Sequence, residues 1–183
     1  MADRSQLERI FLEHHLTDFR WIDPANIVVA EWVRFKCTWG CKSFGARANC
    51  PPNAPSIDES RRFFEGYNLA AVFHFTKAVS GPEEMSEWTK GVNAMLLSAE
   101  RSVFLAGYNK AFALYMGNCR MCSECTVVRT DCRNKMSSRP VPEALGVDVF
   151  TTVRKVGYPI AVLTDPEQEM NRYGFLLGRV KRV

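Results

Sequence analysis

Residues 69–116 read LAAVFHFTKAVSGPEEMSEWTKGVNAMLLSAERSVFLAGYNKAFALYM, and this stretch decides the fold class. Leu69 to Thr76 is an apolar run of strand length, the pattern of a strand buried on both faces. Ser80-Gly81-Pro82-Glu83 follows as a helix start, with proline placed where its missing N–H costs nothing. Met85, Trp88, Val92, Met95, Leu96, Ala99, Val103 and Ala106 then recur at steps of three and four, the apolar stripe of a long amphipathic helix. Gly107 ends that helix, and Ala111 to Met116 reads as the next strand. Strand, striped helix and strand in succession are the parts of an α/β layer.

Towards the N-terminus, Ser56-Ile57-Asp58-Glu59 is a capping box, with Gly66 as the stop. Ile27 to Lys36, rich in Val, Trp and Phe, reads as a strand. Ser5-Gln6-Leu7-Glu8 is another capping box, opening a helix with Leu7, Ile10, Phe11 and His14 on one face. Towards the C-terminus, Val147 to Val156 reads as a helix capped by Asp148 and ended by Gly157. Ile160 to Thr164 and Tyr173 to Val180 read as closing strands. No repeat or linker divides the chain. Residues 1–183 are therefore expected to form a single α/β domain, with a mixed sheet, packed helices and two long cysteine-bearing loops. The loops are 37–55, punctuated by Gly40, Gly45, Pro51, Pro52 and Pro55, and 117–142. Irregular segments this long need something to organise them. Both are expected to leave strand ends, where open sheets carry their sites.

Composition narrows the function classes. The chain has 183 residues, 46% hydrophobic and 24% charged, which excludes collagen-like and disordered architectures. Its 24 basic and 20 acidic residues leave a net charge of +4, far from the footprint of a nucleic-acid binder. The N-terminus carries Asp3 and Arg4 and no apolar h-region, so no secretory signal is expected. The apolar run at Leu69–Phe75 is too short to span a bilayer. A cytoplasmic protein without nucleic-acid or membrane partners is the expectation, and in that compartment thiols stay reduced.

The seven cysteines carry the chemistry. Cys119, Cys122, Cys125 and Cys132 follow the spacing C-x2-C-x2-C-x6-C. Three thiolates at such intervals can wrap one curved loop around the corners of a cubane, and a distal fourth can close the remaining iron, as in ferredoxin-type 4Fe–4S sites. The last step is longer than in bacterial ferredoxins, and Arg133 stands where proline usually follows. Structural zinc generally takes two C-x-x-C pairs a dozen or more residues apart, a pattern not found here. Cys37, Cys41 and Cys50, spaced C-x3-C-x8-C, form the first constellation. Three thiolates can hold a cubane with one iron open, or a fourth ligand can come from another side chain or a partner. A single structural metal or three plain thiols are the alternatives, and whether this loop makes a separate site stays open. The step to the third cysteine does not match radical S-adenosylmethionine enzymes.

Lys42, Arg47, Arg120, Arg129 and Arg133 lie close in sequence to the cysteines, where cations would offset an anionic cluster, and Trp39 and Phe44 could shield one from water. His74 sits in the buried strand and reads as a hydrogen-bonded core histidine; His14 and His15 belong to the first helix. There is no H-x-x-H or H-E-x-x-H, no Walker loop, no G-x-G-x-x-G and no G-x-S-x-G, so nucleotide and serine-hydrolase sites have no support.

At these motifs the chain resembles a family of small, cysteine-rich predicted metal-binding (iron-sulfur) proteins of unknown function from anaerobic bacteria and archaea. The match is carried by Cys37, Gly40, Cys41, Gly45 and Cys50-Pro51-Pro52, and by Gly117, Cys119, Cys122, Cys125, Cys132 and Arg133. Arg139-Pro140, Glu143 to Val149 and Asn171-Arg172-Tyr173-Gly174 extend it over nearly the whole chain. The resemblance implies Fe–S binding and oxygen-sensitive, anaerobic metabolism, and it names no reaction.

Three functions remain in competition. The first is a 4Fe–4S protein that transfers electrons to, or serves as an accessory or activation subunit of, a larger anaerobic redox enzyme, with a redox protein or enzyme complex as partner. The second is an enzyme that uses a three-cysteine cluster with an open iron on a small substrate. The third is a zinc-stabilised interaction module.

Overall fold

The computed structural model describes residues 4–78, 80–165 and 168–179. The spine is β2 (Leu69–Lys77), which pairs with β1 (Phe19–Ile22) along one edge and with β4 (Met170–Gly178) along the other. A short β3 (Phe112–Leu114) adds to the far side of β4, giving the order β1-β2-β4-β3. The α/β class stands, but every pairing is antiparallel where a mixed sheet was expected. An apolar run reads alike in parallel and antiparallel strands once both faces are covered. Direction depends on the path of the connections, which strand residues do not encode.

Both faces are covered. Along β2, Leu69, Ala71 and Phe73 point to one side and Ala70 and Val72 to the other, all buried. The first side receives α1 (Arg4–Glu13), through Leu7, Ile10 and Phe11, and α4 (Pro82–Leu105), through Val92, Leu96, Ala99 and Val103. The second receives Phe64 of α3 (Ile57–Glu65) and Val149 and Val153 of α5 (Val149–Lys155).

The helix signals are mostly realised. Ser56 and Glu59 form the reciprocal capping box of α3, and Asp148 caps α5 by accepting from Thr151 N. Helix α1 already runs from Arg4, so Ser5 lies inside it instead of capping it. Two expected strands are corrected. From Glu31 onward the segment Ile27–Lys36 is helical, as α2 (Glu31–Gly40), and only the bridge Val29–Val147 preserves extended pairing before it. Its aromatic content misled: Trp32, Phe35 and Trp39 of α2 stay exposed, and within that helix Val33 alone is buried. Ile160–Thr164 forms no ladder, because an apolar run becomes a strand only where a neighbouring edge takes up its N–H and C=O groups. The last strand ends at Gly178, and Val180 lies outside the described residues. The unforeseen β1 is four residues long, too short to show a period. No helix among the described residues is long and apolar enough to cross a membrane.

Candidate metal centre

The first cysteines stand on α2. Cys37 lies in its last turn and Cys41 is its C-cap. This loop therefore leaves a helix, not a strand as expected. The helix is held where it must be: Arg34 donates to Pro55 O at 2.7 Å and to Ala144 O at 2.8 Å, while Ala30 N donates to Gly146 O at 2.8 Å. The chain then folds back through successive turns, with Gly45 N donating to Pro51 O at 3.0 Å and Cys50 N to Arg47 O at 3.2 Å. Gly45 sits at φ 71°, a left-handed value glycine takes without strain. Cys50 ends up buried.

The second loop leaves β3 and is clasped at its base. Asn93 of α4 accepts from Met116 N at 3.1 Å and donates to Gly117 O at 3.2 Å. At the return, Tyr115 N donates to Pro140 O at 2.9 Å and the Tyr115 hydroxyl donates to Ser137 O. Arg139 forks onto Glu100 of α4 through Nε at 2.8 Å and a terminal nitrogen at 2.5 Å. The two loops are also tied to each other, by Asn49 Nδ2 to Arg139 O at 2.7 Å and Asn53 Nδ2 to Val127 O at 3.0 Å.

All seven thiols are free, and they fall into two groups. Cys119, Cys122, Cys125 and Cys132 line one small cavity of about 20 Å³, with Arg47, Asn49, Arg133 and Asn134 around them. Two N–H groups already point at these sulfurs: Asn134 Nδ2 reaches Cys122 Sγ at 3.0 Å, and Ala48 N reaches Cys125 Sγ at 3.4 Å. Cys37, Cys41 and Cys50 line a second cavity of about 250 Å³, with Asn118, Arg120, Glu143 and Arg172. Among the described residues no three His, Cys, Asp or Glu side chains are drawn together as the ligand set of a single metal ion.

The cavities share a wall. Ala48 and Asn49 face the four-cysteine cavity, and the next residue, Cys50, faces the other. Cys119 faces the first, and its two chain neighbours Asn118 and Arg120 face the second. The Cys50 thiol meets Asn118 Oδ1 at 3.8 Å. Burial pushes the Cys50 thiol up to about 11, with Cys37 and Cys41 adding to the effect, and burial raises Cys37 as well. A metal bound by these groups must therefore release protons. Glu143 meets open space in the cavity, yet protein surrounds its carboxyl closely, and this burial pushes it above the usual carboxylate range.

Several expected neighbours are in place and others are not. Arg47 and Arg133 border the four-cysteine cavity and Arg120 the three-cysteine one, while Arg129 and Lys42 border neither. Phe44 lines the three-cysteine cavity, but Trp39 is 83% exposed and shields nothing. His74 is the hydrogen-bonded core histidine expected, held between Asp18 Oδ2 and Asn171 Oδ1, each at 2.7 Å, and stacked on Tyr173. Glu143, Arg172, Asn118, Asn134 and Ala48 were not read as site residues. Glu143 and Arg172 lie in quoted stretches of the resemblance, but single polar residues distant in sequence from the cysteines give no sign of where they fold.

The family described as Predicted metal-binding protein (DUF2284) matches residues 20–177. That span contains all seven cysteines and both cavities. The chain belongs to this family. Thiolates are soft donors that select zinc, copper(I) or iron–sulfur groups, so the donor set of this DUF2284 protein agrees with the family's description. No curated protein and no solved structure matches the chain.

Proposed function

We propose that the protein is an iron–sulfur electron carrier, or an accessory subunit, in which Cys119, Cys122, Cys125 and Cys132 hold a 4Fe–4S cluster. The observation that carries this reading is that the four thiols, at ferredoxin-like spacing, line one cavity whose walls already donate N–H groups to two of the sulfurs. When bound, such a cluster supplies one-electron transfer. The chain's own contribution is electrostatic. Ala48 N and Asn134 Nδ2 place positive dipole ends against thiolate sulfur, and Arg47 and Arg133 add positive charge, all of which favour the more reduced state. Val127, Val128 and Met136 stay exposed on the same loop, a surface suited to a redox partner. The reading implies a reducing, cytoplasmic and oxygen-poor setting.

The separate three-cysteine cavity favours a second reading alongside the first. Cys37, Cys41 and Cys50 leave one corner of a cubane without a thiolate, in a cavity lined by Glu143, Arg120 and Arg172. In this reading the four-cysteine site feeds electrons through the shared wall to an enzymatic centre.

Iron and acid-labile sulfide per chain, measured on protein prepared without oxygen, test both readings. About four of each support one cluster and about eight support two. Zinc without sulfide overturns both and leaves a structural module. Cys122→Ser is expected to remove the signal of the four-cysteine cluster. Cys50→Ser is expected to spare it, and loss of all iron in that variant would show that the two loops build one site.

A further inference from the structure

Helix α2 turns its aromatic side chains away from the protein. At about 100° per residue, Trp32, Phe35, Lys36 and Trp39 fall within about 100° of arc, while Val33, Arg34 and Cys37 occupy the opposite side. That opposite side is the anchored one: Val33 is buried, and Arg34 donates to Pro55 O and Ala144 O. The outward rings of Trp32, Phe35 and Trp39 remain 45%, 62% and 83% exposed. Steps of three and four make them neighbours on the helix, so they form one continuous stripe. An apolar stripe ordinarily faces the core. Here on the order of 400 Å² of aromatic surface faces outward, enough to mark an interaction site.

The stripe borders a groove of about 680 Å³ whose lining includes Trp32, Phe150, Val162 and Leu163, and also Cys37 and Cys41. Protruding rings and an apolar hollow therefore lie on one face of the molecule, the arrangement that lets a surface fit a copy of itself. Charge agrees. The groove sets Lys36 and Arg172 against Glu143 and Asp148, with no excess of either sign. Identical faces meet without repulsion when neither carries net charge, whereas an anionic lipid surface is held by an excess of cations.

We infer that this face binds a second copy of the chain, by antiparallel packing of two α2 helices about a two-fold axis between Phe35 and Lys36. That register sets Trp39 of each copy against Trp32 and the groove of the other, and Phe35 of each against Lys36 of the other. Lys36 Nζ already lies 5.0 Å from the centre of its own Trp32 ring, and a second ring extends that cation–π contact. The three rings supply about half of what each side of a standard interface buries, and the exposed Val162 and Leu163 extend the surface. The same contact covers the groove beside Cys37 and the exposed Cys41, so the second copy closes a flank of the three-cysteine site that one copy leaves open. The pairing does not depend on which metal the thiols hold.

Sedimentation equilibrium on the full chain tests this, with protein prepared without oxygen and kept under reductant so that no disulfide joins copies. A species of twice the chain mass is expected at or below about 100 µM. Trp39→Ala is expected to weaken the dimer at least tenfold, with far-UV circular dichroism as in the parent, since this ring stands mostly in solvent. Phe35→Lys places like charges across the axis, and Phe35→Glu places a carboxylate against Lys36 of the second copy. The Lys variant is therefore expected to dimerise about tenfold more weakly than the Glu variant. A monomer at every concentration up to about 100 µM, or a dimer indifferent to Trp39→Ala, overturns the inference. Equal dimerisation of the two Phe35 variants overturns the antiparallel register. Monomers that pellet with vesicles of phosphatidylcholine and phosphatidylserine, and fail to do so as Trp39→Ala, would assign the stripe to a lipid surface instead.

Discussion

Arg139 holds the second cysteine loop to the body of the protein. Its guanidinium forks onto Glu100, whose side chain is 10% exposed, and Glu100 also accepts from Ala113 N of β3 at 2.6 Å. Arg139→Ala leaves that carboxylate enclosed without its cation. We expect a loss of about 3 kcal/mol, read by urea unfolding, because removing one member of an enclosed pair strands the other. Glu100→Gln keeps a hydrogen-bonding side chain and is expected to cost less. The pair is invisible in sequence: Arg139 falls in a stretch that carries the family resemblance, and its partner stands 39 positions away on a long helix. The cysteines were legible because their spacing is local, and a ligand loop must be local to wrap a small group.

At the scale of elements, Gly174 shows how closely β4 meets α4. A Cβ at this position would lie 2.6 Å from Leu96 Cδ1 and 3.3 Å from Leu114 O. Leu96 is fully buried, so its side chain has little room to yield. Gly174→Ala is expected to destabilise the protein by about 1–3 kcal/mol, measured by thermal unfolding, from overpacking. The start of α4 carries a pH signature. Glu84 accepts from Ser80 N at 2.9 Å and Ser80 Oγ at 2.8 Å and pairs with Lys77 at 2.9 Å. The Ser80 N–H leads these contacts in holding its carboxyl down to about 2. A depressed carboxylate contributes stability above its unfolded value, and that contribution is lost as pH falls towards the folded one. The melting temperature of Glu84→Gln should therefore lie below that of the parent at neutral pH. The gap should close as pH falls from about 5 to about 2. A gap that stays constant across this range would assign the effect to something other than the charge. Ser80 and Pro82 announced this helix in the sequence; the reach of Glu84 back to Ser80 did not show there.

At the scale of the whole molecule, the sheet and its two helical layers hold the buried core, and the two cysteine loops are tied to one another beside it. Few regular backbone bonds hold the loops, which depend on side-chain clasps such as Asn49 to Arg139 and Asn53 to Val127. Metal loading is expected to slow amide hydrogen exchange through residues 41–55 and 117–138 while leaving β2 and α4 unchanged. Protection confined to the second loop would assign the metal to Cys119, Cys122, Cys125 and Cys132 alone.

The sequence by itself determined the α/β class, the limits of α3 and α4, the cap of α5, the apolar spine at Leu69 and the two groups of cysteines. Each of these is written in neighbouring residues, as a cap, a period or a ligand spacing. Tertiary structure decided the rest. The path of the connections made the sheet antiparallel, 31–40 folds as a helix despite its aromatic content, and Ile160–Thr164 finds no strand edge to pair with. Folding also set Asn118 beside Cys50 and brought Glu143 and Arg172 to the thiols of α2. Contacts between segments so far apart depend on the path of the chain and the packing of its layers, and no local pattern of residues encodes that path.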